Sequence, residues 1–244
     1  MATTVPTYYS IYLQSDSDKR IEIKVENADL HAQSLDYPSI GDTLVAVDRR
    51  NMAIKGRFKV KGVDTSTVKW QVIVTLDRAV SAGLADSCYM LNHTRFPHVS
   101  ILNNTVYYHS ARAFLLKVPH SVVSGNRIEQ TTLTAIKLGA ELSWREGGPV
   151  ESALIENNYI SHCGEEGNPS TASCVMVSTE ATATPPHVNR NIIIRNNLFD
   201  SYQPFAILLQ DAENVDISNN LTTTADEVKI ENCRNIRING KEKK

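Results

Sequence analysis

The sequence predicts an all-β chain: a right-handed parallel β-helix preceded by a small antiparallel β-barrel. Two observations carry that prediction. From Val99 onward one phrase recurs, apolar–x–apolar–x–Asn–Asn–x–apolar. Before it, short alternating apolar runs are separated by turn signals, and the phrase is absent.

The recurrence comes first because it sets the architecture. Its copies centre on Ile101, Asn103 and Asn104; Asn126 and Ile128; Ile155, Asn157 and Asn158; Ile194, Asn196 and Asn197; and Ile217, Asn219 and Asn220. A weaker copy holds Ile238, Asn239 and Gly240. Anchored on Asn104, Asn126, Asn158, Asn197, Asn220 and Asn239, the steps are 22, 32, 39, 23 and 19 residues. A base period of about 20 residues, stretched twice by insertions, is the mark of a solenoid. Apolar residues at i and i+2 make a strand with one buried face. The Asn that follows tolerates the left-handed backbone of a corner. Asparagines at one corner of successive coils can stack and hydrogen-bond. A second apolar strand follows each corner, at Phe114–Val118, Ala135–Leu138, Val175–Val177 and Ala206–Leu209. Leucine-rich repeats share the period but need a fixed Leu grid and a helix per repeat, and neither is present. Roughly five to six coils over residues 96–240 are expected.

Residues 1–95 alternate instead, in strands expected at Tyr8–Leu13, Arg20–Val25, Thr43–Val47, Arg57–Val63, Lys69–Leu76 and Cys88–Leu91. Turns are expected at 15–18, Gly41-Asp42, Asp64–Thr67 and Ala82-Gly83, and Trp70 is read as a barrel core residue. Short strands with this spacing suggest a small barrel or sandwich. The boundary falls near Asn92–Pro97, and the tail 241–244 is expected to fray.

Composition excludes several classes. The chain has 244 residues, 41% of them hydrophobic, and a net charge of −2. That balance offers no electrostatic case for nucleic acid or an anionic membrane. No apolar run reaches the roughly 18 residues of a transmembrane helix, and the first residues lack the basic and apolar regions of a signal peptide. Cys88, Cys163, Cys174 and Cys233 have no C-x-x-C spacing and read as buried thiols, although Cys163 and Cys174 flank one insertion and are candidates for pairing. His31, His93, His98, His109, His162 and His187 show no metal-ligand spacing. No phosphate loop, nucleophile elbow or nucleotide motif appears, so no metal and no cofactor are expected.

Solenoids place function on their loops. Insertions are expected at 139–149 and 164–190. The first carries Glu141, Trp144, Arg145 and Glu146, and equivalent corners carry His120, Asp211 and Glu213. Stacking the corners would align these residues along one edge. A Trp beside carboxylates and an Arg suits a sugar: the aromatic plate takes the C–H face, and charged groups take the hydroxyl rim. Hydrolysis would need two carboxylates, about 6.5–9.5 Å apart for inversion. The plain alternative is that Trp144 plugs the insertion and both glutamates are solvated.

The order of parts also resembles the C-terminal portion of the α-1,3-galactosidases of glycoside hydrolase family 110. The resemblance rests on the Tyr12–Gln14 strand, the Gly41-Asp42 turn, the Val47–Arg49 strand and the return at Val99–Val106. It continues through Ser110–Ala113, like the family's Arg-Ala-Arg-Gly, and Trp144–Gly147, like its Trp-x-Glu-Ser-Gly, to Val150–Asn158. It implies a β-helix with an inserted barrel, a galactose-containing glycan as partner, and a secreted or periplasmic setting. It gives Glu146 and Glu141 catalytic roles and places Trp144 and Arg112 at the substrate, to which the loop and the stacked corners add Arg145, His120 and Asp211. The departures are Ala140 where the family loop has Asp, and Ser110 where it has Arg. Family members also carry Asp-rich coils ahead of the barrel. The expectation is therefore an incomplete helix, whose exposed end a second copy or a partner would cap. Two other readings stand beside the hydrolase: a non-catalytic carbohydrate-binding or assembly module, and a polysaccharide lyase, for which the dense acidic cluster of a Ca²⁺ site is missing.

Overall fold

A computed structural model of the chain describes residues 2–3, 6–14, 16–24, 37–65, 71–144, 146–164, 171–183, 187–201, 203–224 and 226–243. His31, Trp70, Arg145 and parts of the second insertion lie outside the described residues.

The chain is a right-handed parallel β-helix with an antiparallel barrel, as the repeat predicts. Its first strand, β1 (Ala2–Thr3), does not belong to the barrel as expected. It pairs parallel with a solenoid strand, Ala2 opposite Leu115 and Thr3 opposite Leu116. The barrel follows, from β2 (Thr7–Tyr8), β3 (Ser10–Gln14), β4 (Ser17–Lys24), β5 (Thr43–Asp48), β6 (Ile54–Asp64), β7 (Gln71–Leu76) and β8 (Cys88–Asn92). Their order is β2-β8-β5-β6-β7-β4-β3, so the two outer strands are chain neighbours and the sheet nearly closes. Period-2 alternation fills its centre with Ile21, Ile23, Leu44, Val60, Val72 and Val74, all at most 2% exposed. The Ala82-Gly83 turn is a short helix instead, α1 (Ala82–Ser87), because Ser81 caps it by accepting from the Leu84 amide.

Three parallel sheets make the solenoid. The first holds β9 (His98–Leu102), β12 (His120–Ser124), β15 (Ser152–Glu156), β18 (Asn189–Arg195), β21 (Ala212–Ser218) and β24 (Arg234–Ile238). The second holds β10 (Thr105–His109), β13 (Arg127–Thr131), β16 (Tyr159–Ser161), β19 (Leu198–Asp200) and β22 (Leu221–Thr222). The third joins β1 to β11 (Phe114–Leu116), β14 (Ile136–Leu138), β17 (Val175–Val177), β20 (Phe205–Gln210) and β23 (Asp226–Glu231). The repeat predicts two strands per coil, and the structure has three. The apolar residue after each Asn pair belongs to a sheet of its own, the second. Register stacks like on like: Ile101, Val123, Ile155, Ile194, Ile217 and Ile238 in one row, and Val106, Ile128, Ile160 and Phe199 in another. Each fully buried aliphatic side chain contributes about 1.5–3 kcal/mol of transfer free energy.

The Asn pair divides its labour. The first member turns the corner at positive φ, 56° at Asn103, 55° at Asn157, 55° at Asn196 and 54° at Asn219, with Gly125 doing so in the second coil. The second member builds the ladder. Asn126 Nδ2 donates to Asn158 Oδ1, Asn158 Nδ2 to Asn197 Oδ1 (both 2.9 Å), and Asn197 Nδ2 to Asn220 Oδ1 (3.0 Å).

Asn239 is not the next rung. Its Oδ1 accepts from the backbone of Asn219 rather than from Asn220 (3.0 Å). Asn239 and Gly240 both have positive φ, 49° and 77°, and form a two-residue hairpin turn. The strand β25 (Lys241–Lys243) then returns antiparallel on β24, so the expected frayed tail is a strand as far as Lys243.

Barrel and solenoid share a core. Tyr9, Val45, Val47, Met52, Tyr89 and Leu91 pack with Val118 and Ala140, and Leu142 lies against them. The first insertion is thereby held between the barrel and the third sheet.

Candidate functional site

The site begins with an anomaly in the third sheet. Lys137 sits between core residues Ile136 and Leu138, so alternation turns it outward, yet it is buried. Lys117, just past Leu116, is buried too. The insertion covers both. It leaves the coil at Gly139 (φ 118°), where a Cβ would lie 2.1 Å from the Ser178 carbonyl oxygen. It returns at Gly147 (φ 91°), where a Cβ would lie 2.6 Å from Lys117 Cβ. Between them Glu141 and Glu146 exchange backbone hydrogen bonds (3.1 and 3.2 Å) around a 3₁₀ turn at Leu142–Trp144. Asn189, wholly buried, accepts from the Val150 amide and ties the exit to the next coil.

Charges then close on one another. Glu141 Oε1 lies 2.8 Å from Lys137 Nζ and 3.8 Å from Arg112. Glu141 Oε2 lies 3.3 Å from Lys117 Nζ, which also binds Glu146. Lys137 reaches Glu180 at 3.4 Å, and the Ser143 hydroxyl donates to Glu180 (2.6 Å). Three cations, Arg112, Lys117 and Lys137, thus face three carboxylates, Glu141, Glu146 and Glu180. Burial alone would push the Glu141 carboxyl up. The Lys137 hydrogen bond and the charges of Lys137, Lys117 and Arg112 outweigh it and hold the group below its ordinary value.

Of the residues singled out in the sequence, Glu141, Glu146 and Arg112 come together here. Trp144 stands at the tip of the turn, 67% exposed. Arg145 is outside the described residues. His120 lies elsewhere, stacked on His98 (4.5 Å), its Nδ1 2.9 Å from Ser152 Oγ. Asp211 turns another corner at φ 55° and accepts from Asn232 Nδ2 (2.5 Å). Glu213 pairs with Arg234 at 2.8 Å. The single charged edge expected from stacked corners is therefore dispersed. Each coil leaves its corner with a different neighbour to pair with.

Lys117 and Lys137 were missed in the sequence. The signal was a lysine in an outward strand slot beside an acidic loop, which reads as ordinary solvent exposure until the loop folds over it. Among the described residues no group of three or more His, Cys, Asp or Glu is placed to hold a metal. No helix among them is long and apolar enough to cross a membrane. Cys163 and Cys174 are both buried, and no disulfide joins them.

Alpha-1,3-galactosidase A of Bacteroides thetaiotaomicron is 26% identical over 189 residues, covering 75% of this chain and 31% of that protein. The chain resembles the α-1,3-galactosidases. The enzyme of the same name from Akkermansia muciniphila is 27% identical over 205 residues, 82% of this chain and 33% of its own length. That of Shewanella woodyi is 30% identical over 131 residues, 53% and 21%. The chain spans a third or less of the length of these galactosidases. No protein-family model matches it.

Proposed function

We propose that this chain carries a galactosidase-like glycan site, centred on Glu146 and Trp144, that acts on terminal galactose. The observation that carries this reading is the exposed Trp144 ring, mounted on a hairpin whose base is locked by buried charges. A solvent-facing indole on so rigid a support suits the C–H face of a sugar. The similarity to α-1,3-galactosidases supports a galactoside as the ligand.

The roles follow from burial. Glu141, 5% exposed, is committed to two lysines and holds the mount. Glu146, with 29% of its side chain exposed, is the carboxylate that reaches a ligand, and Arg112, equally exposed, is the donor beside it. Hydrolysis needs one protonated and one ionised carboxyl across the bond. Lys117 holds Glu146 in place through an ion pair, and in this reading Glu146 serves as base or transition-state stabiliser.

The test is galactose release from α-1,3-galactosides by this chain, beside Glu146→Gln and Trp144→Ala. Release that falls by about 10²-fold or more in Glu146→Gln supports the assignment. Equal release in that variant removes Glu146 from the chemistry. Absence of release from the folded wild type overturns the hydrolytic reading for this chain.

A further inference from the structure

A groove runs along the outer face of the first sheet, away from Trp144. Its floor is a second row of asparagines, Asn191, Asn214 and Asn235, near the starts of β18, β21 and β24. Each has positive φ, 56°, 55° and 54°. A left-handed residue at the same place in neighbouring strands kinks each strand while the register on either side is kept. Three bends in register make the face concave, and the cavity measures about 480 Å³. That lies in the range of small-ligand sites.

The lining is chemically particular. Asn191 Nδ2 donates to the Glu151 carbonyl (3.0 Å), Asn214 Nδ2 to Asn191 Oδ1 (3.4 Å) and Asn235 Nδ2 to Asn214 Oδ1 (3.1 Å). These bonds fix each carboxamide and use one of its two N–H groups, leaving the other for a ligand. Ile193, 40% exposed, gives an apolar strip beside them. Asp216, Arg237 and Glu242 complete the lining, and the β24–β25 hairpin brings Glu242 within 3.9 Å of Arg237. Two carboxylates against one guanidinium leave the groove at −1, which repels uronates, sulfates and phosphates.

We infer that this groove binds a neutral oligosaccharide, with the Asn191–Asn214–Asn235 carboxamides holding vicinal hydroxyls and Ile193 taking the C–H face. The rungs lie about 4.8 Å apart, so each successive amide meets a new part of a chain lying along the solenoid. The site is separate from the hairpin of Glu146, and only the choice of a galactoside as first probe rests on the function proposed above. A glycan held here would be anchored without being cleaved.

The test separates the ligand role of the asparagines from their backbone role. Asn214→Gly keeps the left-handed backbone at no steric cost and deletes the carboxamide. Amide-resolved NMR titrations of the full chain with α-1,3-galactobiose and with xylotriose are run on wild type, Asn214→Gly, Arg237→Ala and Glu146→Gln. The expected result is shifts of residues around 191, 214 and 235 with at least one sugar, whether or not residues around Trp144 also shift with the galactoside. Affinity should fall about three- to tenfold in Asn214→Gly and in Arg237→Ala, the loss expected for a hydrogen bond. Glu146→Gln should bind like wild type, and Asn214→Gly should release galactose like wild type. Groove residues unshifted by either sugar at about 20 mM, where a millimolar site is nearly full, overturn the inference. So does binding that survives Asn214→Gly and Arg237→Ala unchanged. Groove binding without any galactose release would sink the hydrolase reading and leave this one standing.

Discussion

Lys137 Nζ lies 2.8 Å from Glu141 Oε1, and neither side chain is more than 6% exposed. An ammonium and a carboxylate so deeply buried depend on each other, because either one alone would keep its desolvation cost with only the longer contacts, Lys137 to Glu180 or Glu141 to Lys117 and Arg112, to offset it. Glu141→Ala should therefore lower unfolding free energy by about 3–5 kcal/mol in urea titrations. The double variant Lys137→Met, Glu141→Leu should recover most of that loss. A loss under about 1 kcal/mol in the single variant would mean that the pair behaves like a surface bridge.

The same carboxyl sets an acid limit. Its folded form titrates below its ordinary value of 4.5. Its contribution is full above that value and fades as pH falls through the lower, folded one. Wild-type melting temperature should drop faster than that of Glu141→Gln between about pH 5 and pH 3. Parallel curves would show that Glu141 is not the group responsible.

Asp211 has the opposite sign. Burial, with the nearby Glu231 charge adding to it, pushes its carboxyl above the ordinary value of 3.8, against the hydrogen bond from Asn232. A raised carboxyl weakens the fold once pH rises through the folded value. Asp211→Asn keeps the acceptor and suits the left-handed corner. It should melt higher than wild type at pH 7, with the gain disappearing near pH 3. A lower melting temperature at pH 7 would refute this.

Asn158 is 2% exposed and bonds up and down the ladder, accepting from Asn126 and donating to Asn197 and to the Val123 carbonyl (3.0 Å). Asn158→Leu orphans several buried groups at about 1–3 kcal/mol each. Thermal melts should show a loss of several degrees or more, whereas Asn104→Leu, at the solvated first coil, should lose less.

The solenoid was legible because its signal is periodic and self-reinforcing: every copy places Ile or Val inward and Asn at the corner. The second sheet was hidden because a single apolar residue, such as Ile128 or Ile160, is too short a run to announce a strand. The hairpin at Asn239-Gly240 was misread because Asn-Gly serves equally as a repeat corner and as a two-residue turn. Glu141 and Glu146 stood out by residue type, and Arg112 by the family resemblance. Their lysine partners were not, since what makes Lys137 unusual is the loop above it, a contact across sequence that no local pattern carries.

The placement of β1 beside β11 has a consequence for how the barrel is carried. The chain leaves the solenoid after Thr3 and rejoins it at His98, so the barrel hangs like a handle, fastened at both ends. A domain on one tether swings and searches for its dock. A handle is brought to its seat as the coils close, and its effective concentration there is set by two short anchors rather than by diffusion. Cutting the barrel at an exposed loop such as Asp77-Arg78 should leave it seated, while cutting one anchor should set it loose.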